Sequence, residues 1–134
     1  MPAPRFLLDT NTCIYILNKR PPHVAEKFGQ YVIGDIGVSS ITVSELAYGA
    51  AKSTKSGTRE RLELFLLELV SVPYGDAAAW QYGKIRARLE RLGTPTLPLD
   101  QQIAAHALAL GVVLVTNNLR EFERVEGLKV ENWF

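Results

Sequence analysis

The segment from Pro98 to Phe122, PLDQQIAAHALALGVVLVTNNLREF, restricts the possible folds more than any other part of the chain. Apolar residues recur at helical spacing over Gln101–Leu110, and Gly111 is typical of a helix end. The run Val112–Val115 is short and wholly apolar, as in a parallel strand that is covered on both faces. Because polar residues follow at once, at positions 116–118, the segment predicts a buried strand with a polar carboxyl end.

A second strand of this kind is predicted near the start of the chain. The predicted strand is Arg5–Leu8, its apolar run is Phe6–Leu8, and Asp9, Thr10 and Asn11 follow it directly. In open α/β sheets, ligands bind outside the carboxyl ends of the parallel strands. We therefore expect the polar ends of these two strands to meet at the functional site.

Short apolar strands alternate with helices along the whole chain. The predicted strands are Arg5–Leu8, Ile36–Val38, Val72–Tyr74, Val112–Val115 and Leu128–Val130. This alternation predicts a three-layer α/β/α sandwich with a central, mainly parallel sheet, and the length of 134 residues fits one domain over 1–134. The helix predicted over Thr58–Val70 has a wider apolar surface than one core face needs. Either this helix is central, or its outer face contacts a partner chain.

The composition excludes several classes of protein. The formal net charge is +1, so any nucleic-acid partner must be held by a local patch. A single cysteine, Cys13, rules out an intrachain disulfide and a cysteine-based zinc cluster, and it fits a reducing compartment. The sequence contains no signal region and no apolar run of membrane-spanning length, so we expect a cytoplasmic protein.

Several common functional motifs are absent. No strand is followed by G-x-x-x-x-G-K-[ST] or G-x-G-x-x-G, and neither H-E-x-x-H nor a G-x-S-x-G elbow occurs. The remaining residues with useful chemistry are acids and an amide at the ends of predicted elements, namely Asp9, Glu45, Asp100 and Asn118.

Each of these residues also has a purely structural interpretation. Glu45 completes the pattern T-V-S-E, residues 42–45, which matches a capping box in which the glutamate binds a backbone amide at the helix start. Asp100 can cap the helix that follows it, and Asn118 is an ordinary turn residue. Asp9 is harder to explain in this way, because an acid directly after a buried strand is unfavourable unless it is paired or metal-bound.

Taken together, these four residues suggest a metal site. Oxygen ligands from carboxylates and an amide suit Mg²⁺ or Mn²⁺, and such an ion acidifies a water molecule for attack on a phosphodiester. Thr116 is placed to orient Asp9, although ordinary turn bonding explains it as well. Basic residues at positions 84–91, 120 and 124 suit RNA phosphates, but a charged helix face is more often only solvated. The spacing of these residues leaves their convergence open.

Four segments are similar to those of a known family: LLDTNTCIYIL, SSITVSELAYGAAKS, PLDQQIAAHA and LVTNNLREFERVEGLKVENW. Over almost its whole length the chain resembles PIN-domain ribonucleases, specifically VapC toxins of type II toxin–antitoxin pairs. The resemblance implies a Mg²⁺- or Mn²⁺-dependent endoribonuclease whose catalytic residues are Asp9, Glu45, Asp100 and Asn118, with the metal bound by the three acids. Many PIN domains have aspartate at the position of Asn118, so a weaker or water-mediated metal contact is expected there. The loop TPTLPLD also lacks the glycine that the family more often has near Leu97.

The same resemblance implies the partners of the protein. They are a second copy in a homodimer, a cognate VapB-type antitoxin whose C-terminal segment covers the active site, and an RNA substrate. The segment TNNLREF is similar to the tRNA-cleaving branch, with initiator tRNA as the commonest substrate. Two alternatives stay open: a non-catalytic PIN-like module that binds protein through Thr58–Val70, and a nuclease that acts on DNA.

Overall fold

The computed structural model describes residues 4–134. Within this range there are five strands: β1 (Phe6–Leu8), β2 (Ile36–Ser39), β3 (Val70–Val72), β4 (Val113–Val115) and β5 (Val130–Glu131). The same range contains seven helices: α1 (Thr10–Asn18), α2 (Pro22–Phe28), α3 (Ser40–Lys52), α4 (Thr58–Leu66), α5 (Asp76–Arg91), α6 (Pro98–Leu110) and α7 (Leu119–Phe122).

The strands form one sheet in the order β3-β2-β1-β4-β5, and all neighbouring strands are parallel. Leu8 at the end of β1 is in register with Val38 of β2 and with Val115 of β4. The carboxyl ends of the three central strands therefore lie at the same edge of the sheet. This edge carries the polar residues that follow β1 and β4.

Apolar side chains cover both faces of the sheet. Phe6 and Leu8 point into a core shared with helices α1 to α4, whereas Leu7 points into a second core shared with α5, α6 and α7. Successive side chains alternate between the two faces because the period of a strand is two residues. The prediction of a three-layer α/β/α sandwich around a parallel sheet is confirmed.

The structure corrects the prediction for Thr58–Val70. Helix α4 ends at Leu66, and Val70 belongs to β3, where it is in register with Gly37 of β2. Pairing with β2 satisfies the backbone of this segment, so tertiary structure overrides its helical pattern. The predicted strand Val72–Tyr74 correspondingly shifts to Val70–Val72.

Helix α4 is not central. It buries Leu62 and Phe65 in the first core, but the side chain of Leu64 is 66% exposed and that of Leu67, just beyond the helix, is 74% exposed. Among the described residues, no helix is long and apolar enough to cross a membrane.

Candidate active site

Asp9 begins the site at the carboxyl end of β1. Its carboxylate is the N-cap of α1, where Oδ1 accepts a hydrogen bond of 2.8 Å from the backbone N–H of Thr12. Oδ2 accepts a hydrogen bond of 2.5 Å from the hydroxyl group of Thr116, which is one of the two interpretations that the sequence left open for this threonine. These two donors explain how a carboxylate that is only 5% exposed is held at a strand end.

Glu45 lies within helix α3, more than one turn from its start. The capping-box interpretation is wrong, because Ser39 is the N-cap of α3 and its hydroxyl oxygen accepts the N–H of Ile41. Glu45 Oε1 instead accepts a hydrogen bond of 2.6 Å from the hydroxyl group of Thr10, the first residue of α1. This contact joins Glu45 to the helix that begins directly after Asp9.

Asp100 lies in the first turn of α6. Its interpretation as a helix cap is also wrong, because the helix begins at Pro98, proline suits this first position, and Leu97 occupies the N-cap position. Desolvation by burial raises the pKa of Asp100 from 3.8 to about 6, assisted by a hydrogen bond to the Glu121 carboxylate and by the negative charges of Glu121, Asp9 and Glu45. The site therefore places Asp100 in a strongly negative environment.

Glu121 is a site residue that the sequence analysis missed. It lies on helix α7, where its carboxylate accepts a hydrogen bond of 3.0 Å from Nδ2 of Asn118 and is placed to accept one from Asp100 when Asp100 is protonated. The spacing from Asn118 to Glu121 is i to i+3 at a helical turn, and helix geometry puts side chains at this spacing on the same face. This spacing is the feature of the sequence from which Glu121 could have been identified.

Asn118 belongs to the site through this contact. Its side chain donates to Glu121, and its backbone N–H donates to the hydroxyl oxygen of Thr116 at 3.0 Å. The structure thus connects Asn118 to both Asp9 and Asp100 through neighbouring residues. Asn118 orients acidic groups by hydrogen bonding.

The acidic cluster, defined here as Asp9, Glu45, Asp100 and Glu121, contains side chains from four separate parts of the chain. In the described range, no three His, Cys, Asp or Glu side chains lie in an arrangement that could hold a metal ion. Thr10, Thr12 and Thr116 hold oxygens of Asp9 and Glu45, and Asp100 is bonded to Glu121. Burial and the neighbouring negative charges raise the pKa of Asp100, and a divalent cation would offset those charges, so the chemistry of this donor set fits such an ion.

A buried contact beneath the site links two of its helices. Nδ1 of His106 in α6 lies 2.8 Å from the hydroxyl oxygen of Ser39, which precedes α3. Burial lowers the pKa of His106. A hydrogen bond with the backbone of Pro73 opposes this effect but does not cancel it. His106 packs in the interior, as expected, and joins the helices that carry Asp100 and Glu45.

Comparison with known proteins agrees with this architecture. The family model described as the PIN domain matches residues 6–128, and the chain belongs to the PIN-domain family. The tRNA(fMet)-specific endonuclease VapC of Salmonella typhimurium is 46% identical over 130 residues, covering 96% of this chain and 98% of that protein. Similarity of this extent places the chain among the VapC proteins of the family.

Solved structures of this group have the same fold. A DNA-bound VapBC from Salmonella typhimurium matches with a TM-score of 0.88 and 46% identity, covering 98% of this chain and 99% of that chain. VapBC2 from Rickettsia felis, bound to a DNA fragment from its promoter, matches with a TM-score of 0.88 and 35% identity, covering 96% of this chain and 98% of that chain. These matches confirm the resemblance that the sequence motifs carried.

Proposed function

We propose that the chain is a metal-dependent endoribonuclease, the toxin of a type II toxin–antitoxin pair. The observation that carries this proposal is the acidic cluster around Asp100, where burial and three further carboxylates raise the pKa of one acid to about 6. Carboxylates crowded in this way are characteristic of functional sites rather than of stable surfaces. PIN-domain ribonucleases generally depend on divalent metal ions.

Asp9, Glu45 and Asp100 are the residues that would hold Mg²⁺ or Mn²⁺, since both ions prefer oxygen ligands. When bound, the ion supplies charge stabilisation at the scissile phosphate and lowers the pKa of water. Glu45 either binds the ion or orients the attacking water. Glu121 holds Asp100, while Thr116 and Asn118 hold the acids in place. Attack by water breaks the bond from phosphorus to the 3′ oxygen and leaves a 5′-phosphate and a 3′-hydroxyl.

The substrate we propose is tRNA, with initiator tRNA as the first to test. The support comes from the Salmonella typhimurium relative, whose name describes a tRNA(fMet)-specific endonuclease and which covers nearly the whole chain. Action on tRNA would inhibit translation in the cytoplasm.

The partners we propose are a VapB-type antitoxin and a second copy of the chain. The antitoxin is supported by the VapBC complexes from Salmonella typhimurium and Rickettsia felis, which share the fold. The homodimer is supported by the exposed apolar side chains of α4 and by those of Trp80 and Leu92 at α5.

The test is cleavage of purified total tRNA in the presence of Mg²⁺ or EDTA. We expect wild type to cut a discrete tRNA only with Mg²⁺, and Asp100→Ala to lose this activity while its circular dichroism spectrum stays that of a folded protein. Asp76→Ala is the matched control, because Asp76 is an exposed aspartate in the first turn of another helix, α5. It should cut like wild type.

Two results would contradict the proposal. A folded, antitoxin-free wild type that cuts no RNA would favour a protein-binding module. Equal cutting of single-stranded DNA and tRNA would favour a nuclease without preference for RNA.

A further inference from the structure

A surface cavity beside the acidic site has only positive residues among its charged lining. It lies between the end of α1 and the start of α4, has a volume of about 540 Å³, and is lined by Leu17, Asn18, Lys19, Arg20, Lys55 and Arg61. Four of these residues are cations, none is an acid, and all four cations are exposed. We propose that this cationic cavity binds backbone phosphates of the RNA substrate beside the scissile bond. The inference rests on the proposed ribonuclease function.

The position of the cavity connects it to the site of chemistry. Leu17, Asn18 and Arg61 line both the cationic cavity and an adjoining groove, which has a mainly apolar lining and extends to Glu45. A polynucleotide whose scissile phosphate lies at the acidic cluster can therefore continue along the groove into the cavity. The positive charge is needed here, because the cluster itself repels RNA and the net charge of the chain is only +1.

The four cations of this cavity have no carboxylate partner among the described residues, unlike several arginines elsewhere on the surface. Arg59 pairs with Glu63, Arg86 with Glu90, and Arg88 with Glu126. Over residues 4–134, by contrast, no salt bridge includes a cation of the cavity. Their charge is left available for a ligand. Of the basic residues at positions 84–91, 120 and 124, Arg86 and Arg88 are paired with glutamates, whereas the others are in no salt bridge within the part of the chain that the structure describes.

Arg61 is already positioned to take a phosphate. Its Nη2 donates a hydrogen bond of 3.1 Å to the backbone oxygen of Leu17, near the end of α1. A guanidinium group has five N–H donors in a rigid plane, so this contact fixes its position and leaves others for a ligand. Planar donors of this kind match phosphate oxygens in pairs.

Lys19 has a backbone conformation that favours glycine. It follows α1 in the left-handed conformation, with φ 54° and ψ 37°, and it is the only non-glycine residue with positive φ in the described range. Its N–H and that of Arg20 donate to carbonyls of the last turn, a motif that normally has glycine at the position of Lys19. A lysine side chain at this strained position supplies a charge that glycine would not.

An acidic peptide is a poorer match to this surface than RNA. A ligand that enters the cationic cavity along the groove also approaches Glu45 and the other acids. These acids repel peptide carboxylates as they repel phosphates, but only a phosphodiester must reach this point to be cut. The observations therefore favour RNA.

The test measures binding of fluorescently labelled tRNA in EDTA, where no cleavage occurs, over a series of salt concentrations. The variants are Lys19→Gly, Lys55→Gln and Arg61→Gln. The matched control is Arg59→Gln, which removes a cation from the same helix as Arg61 but one that is paired with Glu63. Each cavity variant should bind several-fold more weakly and lower the slope of log affinity against log salt by about 0.7–0.9, the value for one lost phosphate contact. The control should retain the wild-type slope.

Stability and kinetics separate this role from a structural one. Lys19→Gly should unfold at the same or a higher temperature than wild type while it binds tRNA more weakly, and Arg61→Lys should recover part of the binding lost in Arg61→Gln. With Mg²⁺, the cavity variants should raise KM for tRNA and leave kcat nearly unchanged.

Other outcomes would overturn the inference. A wild type that cleaves tRNA, with cavity variants of unchanged affinity and slope, would refute the cavity and leave the proposed function intact. Variants that lose affinity for an antitoxin peptide but not for tRNA would assign the cavity to a protein partner. A wild type that neither binds nor cuts RNA would overturn both proposals.

Discussion

The hydroxyl group of Thr116 donates a hydrogen bond of 2.5 Å to Oδ2 of Asp9, at the edge where β1 and β4 lie side by side. Asp9 follows Leu8 and Thr116 follows Val115, and these two strand residues are in register. The parallel pairing of two short apolar strands thus places a donor beside a buried carboxylate. Thr116 also accepts the N–H of Asn118, so a single hydroxyl group connects both sides of the site.

Thr116→Val tests this connection. The substitution keeps the size of the side chain but leaves Asp9 Oδ2 without its donor and the N–H of Asn118 without its acceptor. We expect tRNA cleavage to fall about 10- to 100-fold, as for other residues that orient metal ligands. The free energy of unfolding, measured in urea, should fall by about 1–3 kcal/mol. Thr116→Ser retains the hydroxyl group and should recover most of the cleavage activity and most of the stability. Cleavage by Thr116→Val at the wild-type rate would show that Asp9 does not need the hydrogen bond from Thr116.

Glu121→Gln tests the residue that the sequence analysis missed. The variant removes one of the charges beside Asp100 and the carboxylate that binds its proton, so the pKa of Asp100 should fall. Cleavage should fall about 10- to 100-fold because Asp100 loses its fixed orientation. Glu123→Gln is the matched control, since Glu123 is exposed and lies two residues along the chain. Equal activity of the two variants would remove Glu121 from the site.

The raised pKa of Asp100 predicts an unusual pH dependence of stability. Between pH 3.8 and about 6 the folded state binds more protons at Asp100 than the unfolded state does, so this residue lowers the free energy of unfolding as pH rises. In EDTA at pH 7, Asp100→Asn should therefore be more stable than wild type. Because solvent screens the half-buried carboxylate, we expect a gain of about 1 kcal/mol.

Thermal unfolding of wild type and Asp100→Asn from pH 4 to pH 7 checks this prediction. The difference between the two proteins should grow up to about pH 6, the pKa of Asp100, and then level off. Mg²⁺ should reduce or reverse the difference, because only wild type has the full set of carboxylates. Parallel curves across this range would show that Asp100 is not repelled by its neighbours.

Several parts of the fold and site were predictable from local patterns. Apolar runs bounded by polar residues gave β1 and β4 nearly to the residue, and the alternation of strands and helices gave the parallel, two-sided sheet. The family resemblance singled out Asp9, Glu45 and Asp100. The structure brings them close enough that the charges of Asp9 and Glu45 help to raise the pKa of Asp100. Their roles as metal ligands stay predictions.

The errors have a common physical origin. The pattern at residues 42–45 suggested a capping box, but the chain enters α3 three residues earlier, at Ser39, because β2 ends there. The pattern at Thr58–Val70 suggested a long helix, but Val70 pairs with β2. In both places a strand partner distant in sequence determined where the helix begins or ends.

The sequence by itself determined the class of fold, since the periods of strands and helices and the buried strand ends depend only on neighbouring residues. Tertiary structure decided which side chains meet. Glu121 joins Asp100, and Lys19, Lys55 and Arg61 line one cavity, only because strand order and helix packing bring separate segments together. Charge interactions depend on distance and burial in space, and sequence spacing specifies neither across elements.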